Sequence, residues 1–235
     1  MSPEPVPALV TLHLWRVAPA QVPAALVRMG LDRGRVRRTD GVRFAKMLGT
    51  GDGRTFTARD ADPLHWGLLA TWADADDARA FERGAVSAAW GRLAQERLRL
   101  DLRPTVSRGR WSGRAPFGDP VPVREDGPVA AVTRARLRTA RTARFWSAVP
   151  PVSADLHRSP GLRAAIGIGE APLGLQGTLS VWDSADALRA FAHGGDAHRE
   201  VVARTPREGW YAEELFARFA VVGAEGTLHG RDPFA

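Results

Sequence analysis

Trp72-Ala73-Asp74-Ala75-Asp76-Asp77-Ala78-Arg79-Ala80-Phe81 returns, 110 residues on, as Trp182-Asp183-Ser184-Ala185-Asp186-Ala187-Leu188-Arg189-Ala190-Phe191. Trp, Ala, Asp, Arg, Ala and Phe keep their relative places, and Gly84 recurs as Gly194. Ala and Arg coincide easily in a chain rich in both. Paired Trp and Phe do not, so the stretch marks a duplicated half. In each copy a Trp closes a β-rich run, Asp74 or Ser184 offers an N-cap oxygen, and an Ala-rich helical segment follows.

The flanks extend the repeat. Leu9 to Val17 alternates as a strand, residues 20–32 read as a helix, and Arg43 to Leu48 is a second strand stopped by a turn-rich Gly49 to Gly53. His65 to Trp72 is the third strand. Helices follow from Asp74 and over Val86 to Arg97, and Leu98 to Arg103 closes a βαββαβ unit. The second half runs from a strand at Val129 to Arg138 into a helix starting at Thr142 to Ser147, broken by Pro150-Pro151. Arg163 to Ile168 follows, with Gly167-Ile168-Gly169 as the counterpart of the Gly49 loop, and then Gln176 to Trp182. A helix capped by Ser184 is broken at Gly194-Gly195 and resumes over 196–204, and Leu215 to Val222 is the last strand. The expected fold is α+β: tandem ferredoxin-like (βαββαβ) repeats forming an α+β barrel with helices outside. The halves are 8–106 and 128–223, joined by an Arg/Gly/Pro-rich connector at 107–127. The barrel interior reads as a natural pocket for an apolar ligand or a flat cofactor.

Composition narrows the function classes. The absence of cysteine excludes disulfides, thiolate nucleophiles and cysteine-ligated metal centres. No apolar run approaches the ~20 residues of a membrane span, and Met1 to Pro5 lacks signal-peptide features, so the expected location is cytoplasmic. A net charge of +7 raises nucleic acid as a partner, yet Lys46 is the only lysine and the arginines are dispersed. They are densest at Arg33 to Arg38 and Arg134 to Arg144. That distribution argues for no nucleic-acid partner and leaves peripheral association with an anionic membrane open.

There is no HExxH, GxSxG, P-loop or dinucleotide fingerprint, and Gly167-Ile168-Gly169 fails GxGxxG because Pro172 stands where the third glycine belongs. Among the six histidines, His198 follows the Gly194-Gly195 break and its repeat counterpart is Ala88. A lone histidine is more often a surface or hydrogen-bonded core residue; on a helix lining a cavity it has the chemistry of a proximal heme ligand. Arg108-Gly109-Arg110-Trp111-Ser112-Gly113-Arg114-Ala115-Pro116-Phe117 reads either as a solvated basic linker with Trp111 pinned on a sheet or as a guanidinium clamp for a dianion such as heme propionates. In Arg207 to Phe219, Trp210 and Tyr211 read as core aromatics of a last helical turn.

Together, Arg108 to Phe117, Gly167-Ile168-Gly169-Glu170-Ala171-Pro172, Phe44-Ala45-Lys46-Met47-Leu48-Gly49 and Glu208 to Phe219 resemble the spheroidene monooxygenase family, acyclic carotenoid 2-ketolases of the dimeric α+β barrel superfamily. The resemblance implies a heme b (iron) monooxygenase that inserts oxygen next to a polyene of a small apolar or amphiphilic substrate. It implies His198 as the proximal ligand, Arg108, Arg110, Trp111, Arg114 and Lys46 as cofactor-binding residues, and Gln176 as a catalytic residue bonding a bound oxygen species. Since no flavin or nicotinamide motif is present, electrons are expected from an external donor, a ferredoxin or reductase. Ala45, where the family tends to carry an aromatic, and Leu173-Gly174-Leu175, which lacks an expected aromatic and histidine, depart from the pattern at places expected to border substrate. Those departures keep two alternatives: other heme chemistry such as aldoxime dehydration or N-oxidation, and a non-catalytic heme- or small-molecule-binding barrel. A tandem repeat closes its own barrel while half-barrels also pair between chains, so monomer and homodimer both remain.

Overall fold

The computed structural model describes residues 4–52, 60–137, 153–170, 177–194 and 211–235. The first half supplies β1 (Leu9–Val17), β2 (Val42–Gly51), β3 (Ala61–Trp72) and β4 (Ala94–Gly109); the second supplies β5 (Val129–Leu137), β6 (Leu162–Gly169), β7 (Gly177–Trp182) and β8 (Tyr211–Gly226). All neighbours are antiparallel, and the strands close into one barrel in the order β1-β3-β2-β6-β7-β5-β8-β4. Outside lie α1 (Val22–Arg37), α2 (Ala75–Glu82), α3 (Ala85–Leu93), α4 (153–158) and α5 (Ala185–Gly194).

The repeat that opened the sequence is also the repeat of the caps. Asp74 accepts the Asp76 amide at 2.7 Å to start α2, and Ser184 Oγ accepts the Ala187 amide at 3.2 Å to start α5. Gly41 and Gly161 hold matching left-handed turns at φ 74° and 79°, and each carbonyl accepts the amide after its repeat Trp at 2.8 Å, from Ala73 and Asp183. A Cβ on Gly41 would run into the Asp77 side chain at 2.0 Å, so glycine is required there.

Several boundaries differ from the sequence reading. Gly49 and Gly169, expected in loops, pair with each other across β2 and β6, where the halves meet. α3 stops at Leu93 and β4 begins at Ala94, because Ala94 to Leu102 pairs along β1 and outweighs local helix propensity. Tyr211 opens β8 as the partner of Leu137 instead of ending a helix. The connector also contributes to the core: Trp111 and Phe117 are fully buried against Phe44 and Phe219.

Inward-facing Leu12, Leu14, Leu48, Leu100, Val132, Ile166, Leu215 and Phe219 pack into a single cluster with Trp111 and Phe117. The interior is therefore filled, correcting the expected pocket inside the barrel. Eight strands enclose a narrow space, and here the described side chains occupy it.

Candidate functional site

One end of the barrel is sealed by charge. Lys46 on β2 and Arg134 on β5 both point inward, and each is nearly inaccessible. Glu170, just past β6, accepts from Lys46 Nζ, from Trp111 Nε1 at 2.7 Å and from Arg134 at 2.9 Å. Glu213 on β8 accepts from Arg134 and from the backbone amides of Ser112 at 2.9 Å and Gly113 at 2.7 Å. Lys46 Nζ also reaches Ser112 Oγ at 2.6 Å. Burial alone would raise both carboxyls. The Lys46 and Trp111 hydrogen bonds and the neighbouring cations hold Glu170 below the usual carboxylate range, and the Gly113 and Ser112 amides with Arg134 do the same for Glu213. Two cations and two carboxylates balance, and the network ties β2, β5, β6 and β8 to the turn after β4.

A second copy of that turn closes the opposite end. Gly109-Arg110-Trp111-Ser112-Gly113-Arg114-Ala115-Pro116-Phe117 recurs as Gly226-Thr227-Leu228-His229-Gly230-Arg231-Asp232-Pro233-Phe234. Bridges pair Trp111 with Arg114 and Leu228 with Arg231, and Ser112 and His229 share φ 55°. Glu96 holds the His229 and Gly230 amides as Glu213 holds those of Ser112 and Gly113. At this end Ile166 and Leu14 take the places of Lys46 and Arg134, leaving the interior apolar.

The outer faces differ more. Across β2, β3, β1 and β4 one row of the first half reads Met47, Leu68, His13, Arg99; the matching row of β6, β7, β5 and β8 reads Gly167, Thr178, Thr133, Phe216. The next row replaces Ala45, Ala70, Thr11, Asp101 by Ala165, Ser180, Ala131, Arg218. Trp15 corresponds to Ala135. The first face is filled by Trp15, Trp66, Trp90, Met29 and Met47 under its helices. The second carries a bed of mostly small side chains, of which Ala131, Ala135 and Ser180 are buried. Arg218 lies half-buried on it, its guanidinium pKa lowered by burial and by the Arg189 charge of α5.

No protein-family model matches the chain. It is 36% identical to the spheroidene monooxygenase of Rhodobacter capsulatus over 97% of this chain and 95% of that protein. It is 40% identical to that of Rubrivivax gelatinosus over 81% of this chain and 73% of the other. The chain belongs to the spheroidene monooxygenase family. The named members are monooxygenases, which makes the chain an oxidoreductase. Among solved structures, an aldoxime dehydratase superposes with a TM-score of 0.59 at 11% identity over 91% of this chain and 80% of its own, a likeness of fold alone.

In this spheroidene monooxygenase family chain the expected cofactor residues do not converge. Arg114 turns to Glu4 and to the Arg43 carbonyl at 2.7 Å, and Arg110 to the Gly113 carbonyl at 2.9 Å. Lys46 and Trp111 belong to the interior seal: strand alternation on β2 sends Lys46 inward, and the turn after β4 folds Trp111 into the interior cluster. Arg108 alone of the five borders the bed, its guanidinium 5.3 Å over the Phe216 ring. His198, Gln176 and Trp210 lie outside the described residues, as do Leu173 to Leu175. Ala45 is buried with the first half's outer core. Sequence reading passed over Arg134, Glu170, Glu213 and Arg218. The Gly-x-x-x-Gly-Arg-x-Pro-Phe repeat was the available signal for the turns that Glu213 and Glu96 hold.

Proposed function

We propose that this chain is a heme b-dependent monooxygenase that oxidises an apolar, carotenoid-type polyene, with the cofactor lying against the outer face of the second half-sheet. The observation that carries the reading is the exchange of Trp15, Met47 and Leu68 for Ala135, Gly167 and Thr178 at matching register. The bed spans β6, β7, β5 and β8, about 14 Å at the ordinary strand spacing, and its small side chains suit a planar ring system. Arg218 and Arg108 border it, and a guanidinium fork is the natural partner of a propionate carboxylate. His198 is proposed as the axial ligand and Gln176 as a hydrogen-bond partner at the reacting centre.

Heme, when bound, supplies dioxygen activation and the oxidising power for a carbon–hydrogen bond. The chain's share is orientation and exclusion of water. Val129 and Trp182 pack beneath Leu156 of α4 and Leu188 of α5, the cover extends over Ala131 at the edge of the bed, and packed barrel side chains lie behind it. Electrons are proposed to come from a separate ferredoxin or reductase.

Hemin titration of the purified full-length protein tests this. A Soret band is expected, shifted or lost in His198→Ala. Ala135→Trp, which restores the first half's residue to the bed, should abolish the band with unchanged far-UV circular dichroism. No band in the natural protein rejects heme; an unchanged band in His198→Ala rejects the ligand; an unchanged band in Ala135→Trp rejects the placement.

A further inference from the structure

α1 shows solvent an apolar surface that the fold does not use. Its buried side is Ala25, Met29, Asp32 and Val36, packed on the first half-sheet. On the other side Leu26, Val27 and Leu31 are 43%, 60% and 56% exposed, and Gly30 between them has nothing within 4 Å of where a Cβ would stand. Positions 26, 27, 30 and 31 follow helical spacing, so the three side chains form one stripe. They are three of the eight exposed large hydrophobics among the described residues, and the others are not on this helix.

The C-terminal end of the same helix is strongly basic. Arg33, Arg35, Arg37 and Arg38 are exposed, and the acid within this stretch, Asp32, is buried beneath Arg28 and Arg35, at 3.3 and 2.9 Å. Arg33 bonds the Glu170 carbonyl at 2.8 Å, tying the helix to the end of β6 in the second half. Arg37 and Arg38 have no acidic partner among the described residues. An apolar stripe that ends in unneutralised guanidinium groups matches an anionic bilayer surface: the stripe enters the acyl boundary while the arginines meet headgroup phosphates.

We propose that α1 is a membrane-docking helix that seats the protein on anionic lipid through Leu26, Val27 and Leu31, with Arg37 and Arg38 as its electrostatic contacts. The net charge of +7 favours approach to an anionic surface. The inference stands on this surface and not on the heme reading. It adds a route by which a membrane-dissolved substrate reaches the protein without crossing water.

Flotation of the full-length protein with vesicles of phosphatidylcholine, with and without phosphatidylglycerol, tests it. Binding is expected only to the anionic vesicles and should fall as salt rises. Val27→Glu/Leu31→Glu should abolish it, Val27→Ser/Leu31→Ser should weaken it, and Arg37→Glu/Arg38→Glu should lower the partition coefficient by roughly tenfold or more. All these positions are exposed, and hemin titration of each variant separates a failure of docking from a failure of the cofactor site. Absence of anionic-vesicle binding, or equal binding by the natural protein and the stripe variants, overturns the proposal. So does a dimer in solution that the stripe substitutions dissociate, since a second copy would then be what covers the stripe.

Discussion

On the first half's outer face Trp15 stacks on Trp90 at 4.9 Å with Trp66 beside them, while the second half carries Ala135, Gly167 and Thr178 at the matching places. Among the described residues the register, turns and helix caps are shared, so the contrast lies in the side chains. Burying a Trp removes ~150–250 Å² from water, an upper bound of about 4–6 kcal/mol at ~25 cal/mol/Å². The first half gains that stabilisation from Trp15, Trp66 and Trp90. The second has Ala135 where Trp15 stands, and smaller side chains beside it.

Three experiments press on that contrast. Trp90→Ala should destabilise the protein by about 3–5 kcal/mol in urea unfolding, through the cavity left between Trp15 and Trp66. Hemin affinity should stay where it was; a fall as deep as that expected of Ala135→Trp would end the division of labour between the faces.

Arg134→Met replaces a buried guanidinium at the place where the first half has Leu14, and leaves Glu170 and Glu213 short of a donor. Since both carboxylates keep other partners and some solvent, the cost should be about 2–3 kcal/mol at pH 7. The folded-state pKa values of Glu170 and Glu213 are depressed below 4.5. The stability they contribute is therefore complete above that pH and lost as pH falls through the folded values. Urea midpoints at pH 7 and pH 4 should converge between Arg134→Met and the natural protein. Parallel midpoints would show the network is not what makes this end acid-sensitive.

The smallest effect is expected at His13, whose counterpart is Thr133. Burial first, and the Arg99 charge second, push its pKa down to about 3 from 6.5. The unfolded chain binds this proton first, so stability should fall by at most about 1.4 kcal/mol per pH unit from pH 6.5 towards pH 3. Glu82, 3.3 Å away and raised by its own burial, opposes part of that slope near its titration. His13→Thr should flatten the profile between pH 6.5 and 5; an unchanged slope would place the titrating group elsewhere.

The fold was largely legible because its signals are local. Alternation over Leu9 to Val17 gave β1 at the observed bounds, and Asp74 and Ser184 cap the helices their positions foretold. The site was legible only in part. Arg108, Arg110 and Arg114 read either as a basic linker or as a clamp, and only Arg108 lies on a strand; the other two are in the turn after β4. Which side of that strand faces the bed depends on pairing partners more than 80 residues away. Glu170 and Glu213 carried no role in the sequence reading, because Arg134 meets them only once β5 lies between β7 and β8.

The sequence by itself determined the duplication, the alternation of strands and helices, the capping residues and the lack of thiol chemistry, all properties of neighbours along the chain. Only the tertiary structure decided that the described interior is packed, that Lys46 and Trp111 seal it, and that small side chains line the second outer face. Closing eight strands fixes the interior volume and brings rows of side chains from four strands side by side, and neither can be read from any one strand.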